Sequence, residues 1–181
     1  MVLIIQDQFT HWIQGYPAKE KTTHKTHTLF QNFLGPFTKA KYVHTDGSME
    51  FQEALDQFEI PHDASTPYRP ETNGVAERAV RIVKEGTACT IAQSGWQENW
   101  WTDAMRCYCF LRNVTDVVRN GRTPFQARYG QPYQGPKIQF GALVHYKPSP
   151  YEHKHYQHDF GPKTVPGIFM GYIQKLSLIH I

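Results

Sequence analysis

Two carboxylates stand where the apolar patterns of the sequence begin and end, and both are candidate metal ligands. Asp46 follows the short apolar run "YVHT", and Glu77 opens a helical pattern after a loop with two prolines and an Asn-Gly. Thirty residues separate them, enough for a helix and a return strand that bring both to one sheet edge, where ligands of α/β sheets bind. Carboxylates suit Mg²⁺ bound with substrate phosphates, so the pair could support an in-line phosphoryl displacement.

Basic residues follow Glu77 along the same predicted helix. Arg81 and Lys84 lie four and seven residues after Glu77, so all three share one helix face, and Arg78 is the next residue in the chain. A phosphate backbone near the metal would meet Arg81 and Lys84 next. On spacing alone, a surface ion pair between Glu77 and Arg81 and a turn role for Asp46 are the favoured interpretation.

Length and composition limit the classes of protein. The 181 residues suit one domain or one domain with an appendage, and 40% of them are hydrophobic, enough for a packed core. We find no run of eighteen apolar residues and no secretory signal. Residues 1–90 carry nine basic and eleven acidic side chains, and residues 91–181 carry ten and five, so the second half is the more basic surface. Three cysteines without framework spacing favour reduced thiols and an intracellular location.

Alternating apolar patterns predict short strands and amphipathic helices. The predicted strands lie in residues 2–5, 11–18 and 40–48, and residues 64–68 are predicted as a brief strand or an extended loop. The predicted helices lie in residues 21–37, 49–60, 75–92 and 96–114. Two further strands are expected within residues 140–150 and 164–173, after a boundary near 120–135. The order implies an α/β fold with a largely parallel or mixed sheet and helices on its faces. In the last predicted helix one face is expected to carry Trp101, Ala104, Met105, Tyr108 and Leu111.

Two motifs resemble the core of retroviral and retrotransposon integrases. "VHTDGSMEF" is similar to that family's T/S-D-N-G-x-E-F element, and "STPYRPETNGVAERAVRIVKEG" to its Y-x-P-Q-x-N-G-V-A-E-R element. The matching residues are Thr45, Asp46, Gly47, Glu50, Phe51, Tyr68, Pro70, Thr72, Asn73, Gly74, Val75, Ala76, Glu77 and Arg78. "IIQDQFTHW" resembles the strand pair with D-x-F-S-R-W, and "TPFQARYG" and "FGALVHYKP" resemble the segments that follow the core in copia-type elements.

The resemblance implies an RNase H-like mixed sheet flanked by helices, with a small C-terminal β appendage. Residues 1–130 would be the catalytic core and residues 131–181 a β-rich segment with an uncertain tail. The implied activity is strand transfer of element DNA into target DNA in the nucleus, with Mg²⁺ or Mn²⁺ held by Asp46 and Glu77. The implied partners are both DNAs and further copies of the chain, with no membrane.

The sequence departs from the family pattern in ways that affect this activity. The family's first catalytic acid lies on a strand upstream of the D-x-F-S-R-W pair, and Asp7 matches the turn residue of that pair, not the acid. The family's Asn after the second acid is missing, since the sequence reads Asp46-Gly47-Ser48. The spacing from Asp46 to Glu77 is several residues shorter than usual, and Glu71 replaces a Gln. We therefore expect a polyprotein fragment without the first strand of the sheet and marginally stable, with weak metal affinity and negligible strand transfer.

The loop before Glu77 supplies further candidate DNA contacts. Tyr68 matches a residue in the loop that the family uses near the DNA end, and Arg69 beside it can reach a phosphate. Asn73 is a DNA candidate too, although it fits equally well as part of a helix-entry turn. The histidines of "YEHKHYQHDF" are expected to form a solvated basic loop, and Trp96, Trp100 and Trp101 to be core or interface residues rather than a stacking platform. The last residues, "KLSLIHI", break the pattern and are interpreted as a truncated or artefactual end.

Two other functions are compatible with these residues. One is a non-catalytic DNA-binding or assembly module that keeps the integrase fold and the basic helix. The other is a DDE transposase of the same fold, against which the pattern after the core argues. The absence of the first acid favours the binding module for the chain as given.

Overall fold

A computed structural model describes residues 1–36, 38–65, 74–118, 121–149, 161 and 163–173. Its strands are β1 (Val2–Gln6), β2 (Ile13–Pro17), β3 (Val43–Thr45), β4 (His62–Ala64), β5 (Leu143–Tyr146) and β6 (Val165–Ile168). Its α-helices are α1 (Thr23–Leu34), α2 (Met49–Gln57), α3 (Gly74–Ser94), α4 (Trp101–Thr115) and α5 (Pro124–Tyr129). The predicted order of strands and helices is confirmed.

The chain begins with an antiparallel hairpin of β1 and β2, in which Val2 lies opposite Pro17. Asp7 organises the connection, because its carboxylate accepts hydrogen bonds from the backbone N–H of Phe9 and the hydroxyl of Thr10. Its carboxylate is thus engaged by its own turn, in agreement with the turn role predicted for Asp7.

Helix α1 lies within the predicted residues 21–37 and ends at the predicted stop, Gly35-Pro36. The Thr22 hydroxyl accepts from the backbone N–H of Lys25, as an N-cap should. The helix ends at Gly35, whose φ of 75° favours glycine. Its buried residues are Thr26, Leu29, Phe30 and Phe33.

Strands β3 and β4 form a parallel pair joined by α2. Val43 lies opposite His62, and Thr45 opposite Ala64. Residues 64–68 were predicted as a brief strand or an extended loop, and the strand observed here begins two residues earlier, because its ladder with β3 starts at His62. The Val43 N–H donates to the Pro61 carbonyl and the Ser65 N–H to the Thr45 carbonyl, which fixes the pairing at residues 62–64.

Helices α3 and α4 pack closely, linked through a 3-10 turn at Glu98–Trp100. A Cβ on Gly86 would lie 1.9 Å from the Tyr108 ring, so glycine permits this approach. The face predicted for α4 is partly wrong. Trp101 is exposed, whereas the buried residues are Ala104, Met105, Cys107, Cys109, Phe110, Asn113 and Val114. The helix is buried on two sides, because it packs between the β2–α3 layer and the segments that precede β5 and follow β6.

The C-terminal strands β5 and β6 form an antiparallel pair, as predicted. The segments around this pair reach α4: Phe140 packs with Ala104 and Cys107, and the Tyr172 ring stacks on Phe110 at 4.0 Å. The division of the chain near residues 120–135 stays a prediction.

Helix α5 was not predicted. Its arginine, Arg128, donates to the Phe33 carbonyl at the end of α1 and lies over the rings of Trp12 and Tyr129. Six residues beginning with proline carry too little apolar periodicity to identify a helix, although Thr123 caps it.

The described strands form three separate two-stranded sheets. The first sheet is antiparallel and the second is parallel. Both kinds of strand pairing found in a mixed sheet therefore occur, but no ladder joins β1 to β3 in the described residues. Ile5 from β1 and Val43 from β3 nevertheless pack on the same buried cluster of Phe30, Leu55 and Ile60. The two sheets therefore share a core beneath α1 and α2.

Asn113 connects α4 to β2 by two buried hydrogen bonds. Its side chain accepts from the Ile13 N–H at 3.0 Å and donates to the Ile13 carbonyl at 2.8 Å. We expect Asn113→Ala to lower the free energy of unfolding by about 2–4 kcal/mol, because two buried backbone groups lose their partner. Urea unfolding measures this, with the exposed Asn99→Ala as the matched control. Equal midpoints for the two variants would contradict this role.

Candidate metal and nucleic-acid site

Asp46 lies directly after β3, exposed at the carboxyl end of the parallel pair. Its Oδ1 accepts from the Ser48 N–H at 3.2 Å, which shapes the turn into α2. Gly47 has a φ of 78°, a conformation adopted readily by glycine and, among other residues, chiefly by Asn and Asp. Gly47 therefore suits the turn that carries Asp46.

Glu77 lies in the first turn of α3 and is exposed. The chain approaches it from beside Asp46, because the Ser65 N–H donates to the Thr45 carbonyl at 2.9 Å. Residues 66–73, which join Ser65 to α3, lie outside the described residues. The structure thus puts the end of β4 next to Asp46, while the Asp46–Glu77 pairing stays a prediction.

The donor chemistry of these two acids fits a hard divalent cation. Mg²⁺ is commonly held by one or two carboxylates, with waters and substrate phosphates filling the other positions. Within the described ranges, no group of three or more His, Cys, Asp or Glu side chains is arranged to hold a metal. The role of Asp46 and Glu77 as metal ligands stays a prediction.

The basic residues of α3 lie on its solvent side. Arg78, Arg81 and Lys84 are exposed, whereas the buried residues of the helix are Ala79, Val83 and Thr87. Because α3 is continuous, the spacing sets Glu77, Arg81 and Lys84 along one face, with Arg78 further around the helix. Their DNA contact stays a prediction.

Several predicted site residues lie outside the described part of the chain. These are Tyr68, Arg69 and Asn73 in the loop before α3, the histidine loop of residues 151–160, and the C-terminal tail. Their proposed roles stay predictions.

The other singled-out side chains have ordinary structural positions. Cys107 and Cys109 are buried and free, and burial raises their pKa values to about 11 and about 12, so both thiols stay protonated near neutral pH. Trp96 packs on the cluster around Phe140, as expected for a core residue.

Two cavities flank β1 on opposite faces. One of about 860 Å³ lies between β1, α3 and α4, and Val2, Ile4, Val83 and Met105 are among its lining residues. The other, of about 200 Å³, lies toward α1 and α2. Its lining residues are Met1, Val2, Leu3, Lys21, Thr26, Asp46 and Phe51.

An ion pair beside Asp46 was not identified from the sequence. Lys21 Nζ lies 3.4 Å from Glu50 Oε2, and the sequence offers no spacing signal for a pair twenty-nine residues apart. Glu50 accepts a hydrogen bond from its own backbone N–H, and this bond, reinforced by Lys21 and Ser48, lowers the pKa of its carboxyl.

A second unpredicted group lies across β3 and β4. The imidazole of His44 is hydrogen-bonded to Asp63 at 2.5 Å, directly across the parallel ladder. This bond and one from Tyr42 lower the pKa of the Asp63 carboxyl. The contact joins the strand that carries Asp46 to its neighbour.

The fold is the α/β fold of integrase catalytic cores. The catalytic core domain of bovine immunodeficiency virus integrase superposes with a TM-score of 0.52 at 17% identity, covering 69% of this chain and 82% of that one. A trimeric form of the HTLV-2 integrase catalytic core domain in complex with magnesium gives 0.52 at 19% identity, over 71% and 93% of the two chains. The RNase H-like fold expected from the motifs is thereby confirmed.

The sequence relatives are Pol polyproteins of retrotransposons and retroviruses. The polyprotein of transposon RE2 from Arabidopsis thaliana is 29% identical over 178 residues, which is 94% of this chain and 12% of the relative. The Pol polyprotein of feline endogenous virus ECE1 is 25% identical over 137 residues, 72% of this chain and 13% of the relative. The chain thus spans about an eighth of the length of these curated relatives. No protein-family model matches it.

None of the helices in the described ranges is long and apolar enough to cross a membrane.

Proposed function

We propose that this chain is the catalytic-core segment of a retrotransposon integrase, acting in metal-dependent transfer of element DNA strands into target DNA. The observation that carries the proposal is the parallel pair β3–β4. Asp46 follows the carboxyl end of β3 in this pair. The segment that leads to the helix with Glu77 leaves β4 beside Asp46, at Ser65. The polyprotein relatives and the integrase-core fold support the same function.

In this proposal, Asp46 and Glu77 hold Mg²⁺ or Mn²⁺ between them. The metal, when bound, supplies charge stabilisation to the attacking and leaving oxygens of the displacement. Asp46 is oriented by the Ser48 N–H, and Glu77 is carried by the first turn of α3. Arg81 and Lys84 extend along α3 and hold the phosphate backbone, while Arg78, Tyr68, Arg69 and Asn73 contribute further contacts to the DNA.

The DNA face of α3 is tested by replacing its two central basic residues. We expect Arg81→Ala with Lys84→Ala to weaken binding of a labelled DNA duplex and to lower the slope of log affinity against log salt by about 1.8, or about 0.9 for each lost phosphate contact. Fluorescence anisotropy across a KCl series measures both quantities.

The matched control is the double variant Lys39→Ala with Lys41→Ala, which removes the same charge from an exposed segment before β3. The control should keep most of the wild-type slope. Identical slopes for both double variants would remove α3 from the DNA interface.

A second candidate function is a non-catalytic DNA-binding or assembly module. The observation in its favour is the exposed basic side of α3, with Arg78, Arg81 and Lys84, which can bind a phosphate backbone without a metal. Both functions predict binding to DNA, but only the catalytic one predicts that Mn²⁺ strengthens it. Anisotropy with Mn²⁺ or EDTA for wild type and Glu77→Gln separates them.

The wider setting of this function follows from the polyprotein relatives. We infer that the chain works as part of a longer protein, as a homo-oligomer that binds element ends and target DNA in the nucleus. The trimeric form of the HTLV-2 core supports an oligomer. The isolated chain, with two of the family's three acids, is expected to have little strand-transfer activity of its own.

A further inference from the structure

Lys21 occupies a fixed position at the start of α1. It directly precedes Thr22, whose hydroxyl caps the helix by accepting from the Lys25 N–H at 3.2 Å. Its side chain extends toward α2, where Nζ lies 3.4 Å from Glu50 Oε2 and 5.9 Å from the centre of the Phe51 ring. The ammonium group therefore contacts both a carboxylate and an aromatic face.

A second contact ties the same two helices together. The Thr23 hydroxyl donates to Glu53 Oε2 at 2.6 Å, one helical turn along α2 from Glu50. Two contacts between the start of α1 and the first turns of α2 fix the direction in which Lys21 points. Helix α2 begins immediately after the turn that contains Asp46.

Lys21 and Asp46 line the same cavity. Its volume is about 200 Å³, and its other polar lining residue is Thr26. Met1, Val2, Leu3 and Phe51 form its apolar wall. A cation and the candidate metal ligand thus meet in one partly apolar recess, where charges interact more strongly than in bulk water.

We propose that Lys21 is a substrate-contacting residue, which binds a phosphate of the DNA strand lying at Asp46. This inference rests on the proposed function. An ammonium group has three N–H donors, and the described contact with Glu50 uses one of them, so donors remain for a phosphate oxygen. Glu50 acts as a positioning residue, because its carboxylate keeps the ammonium beside the recess when DNA is absent.

The ion pair itself contributes little to stability. The Lys21 and Glu50 side chains are 38% and 35% exposed, and pairs of this kind have small effects on folding. A change at Lys21 therefore leaves a folded protein in which DNA binding can be measured directly.

The experiment measures binding of a labelled blunt DNA duplex by anisotropy across a KCl series, using the full chain and the variants Lys21→Ala, Lys21→Arg and Lys25→Ala. Lys25 is the matched control, since it is exposed in the first turn of α1, four residues after Lys21. We expect Lys21→Ala to weaken binding about tenfold, as loss of a charged hydrogen bond does, and to lower the salt slope by about 0.9. Lys21→Arg should restore the slope, a readout that a purely structural role would not move.

The outcomes separate this inference from the proposed function. If wild type binds the duplex and Lys21→Ala has the same affinity and slope as Lys25→Ala, Lys21 is no DNA contact, and the proposed function stands. If wild type shows no salt-dependent binding at all, both proposals fail together. A melting temperature for Lys21→Ala equal to that of wild type, with the lower slope, supports the contact.

Discussion

A strand-forming segment joined ahead of Met1 is expected to raise the melting temperature of the chain by about 4–12 °C. In the described residues, β1 pairs only with β2 and β3 only with β4, so each strand has an edge without a ladder partner. Unpaired edges are templates for an added strand. The integrase resemblance implies a strand between these two edges. Ile5 of β1 and Val43 of β3 pack on the same buried cluster, so both sheets already share a core.

The cavities on the two faces of β1 give this prediction its magnitude. Successive side chains of a strand point to opposite faces, so an added strand would send alternate side chains into the cavities of about 860 and 200 Å³. Each buried apolar side chain contributes about 1.5–3 kcal/mol, and ordering of the added backbone offsets much of that sum. A net gain of about 2–3 kcal/mol corresponds to the expected shift in melting temperature.

Differential scanning calorimetry checks the shift, with an added segment of the same composition but two central prolines as the control. Proline cannot donate to a ladder, so the control segment should leave the melting temperature unchanged. Equal melting temperatures for both extended chains would show that the edges of β1 and β3 do not accept a strand.

The parts of the fold that the sequence predicted are those with strong local signals. Helix α1 has a capping Thr22, an apolar stripe and Gly35 as its end, and α3 follows an Asn-Gly entry with an uninterrupted helical pattern. The placement of Asp46 after β3 was predictable for the same reason, because "YVHT" is a short β-prone run before a turn. The turn after Asp46 has a positive φ of 78° at residue 47, a conformation that glycine adopts readily.

The missed features depend on tertiary contacts. The register of β4 is set by its ladder with β3, which residues 64–68 do not encode locally. The buried face of α4 is wider than a single stripe because the Phe140 segment packs on it. The ion pair of Lys21 with Glu50 joins the start of α1 to the start of α2. No local sequence pattern predicts that these two helix ends lie together. Sequence motifs thus pointed to the two candidate acids but not to the ion pair of Lys21 with Glu50.

The largest expected effect on chemistry is the loss of strand transfer on replacing either acid. In a chain extended by a strand that carries an aspartate, Asp46→Asn and Glu77→Gln are each expected to lower Mn²⁺-dependent strand transfer by about 100-fold or more, since even supporting residues of metal sites cost about 10–100-fold. Both substitutions keep the shape of the side chain and remove its charge. A gel assay of labelled element-end DNA joining a target plasmid measures the product.

The matched control places asparagine instead of aspartate in the added strand. This segment completes the sheet without adding a carboxylate, so it should raise the melting temperature as much as the aspartate version while leaving strand transfer negligible. Such a result would show that the added backbone raises the melting temperature and that the carboxylates are needed for strand transfer. If Glu77→Gln in the aspartate-bearing chain keeps wild-type activity, Glu77 is not a metal ligand, and the head of α3 serves DNA binding alone. Helix α3 would then act only by binding DNA through Arg81 and Lys84, as expected for the non-catalytic module.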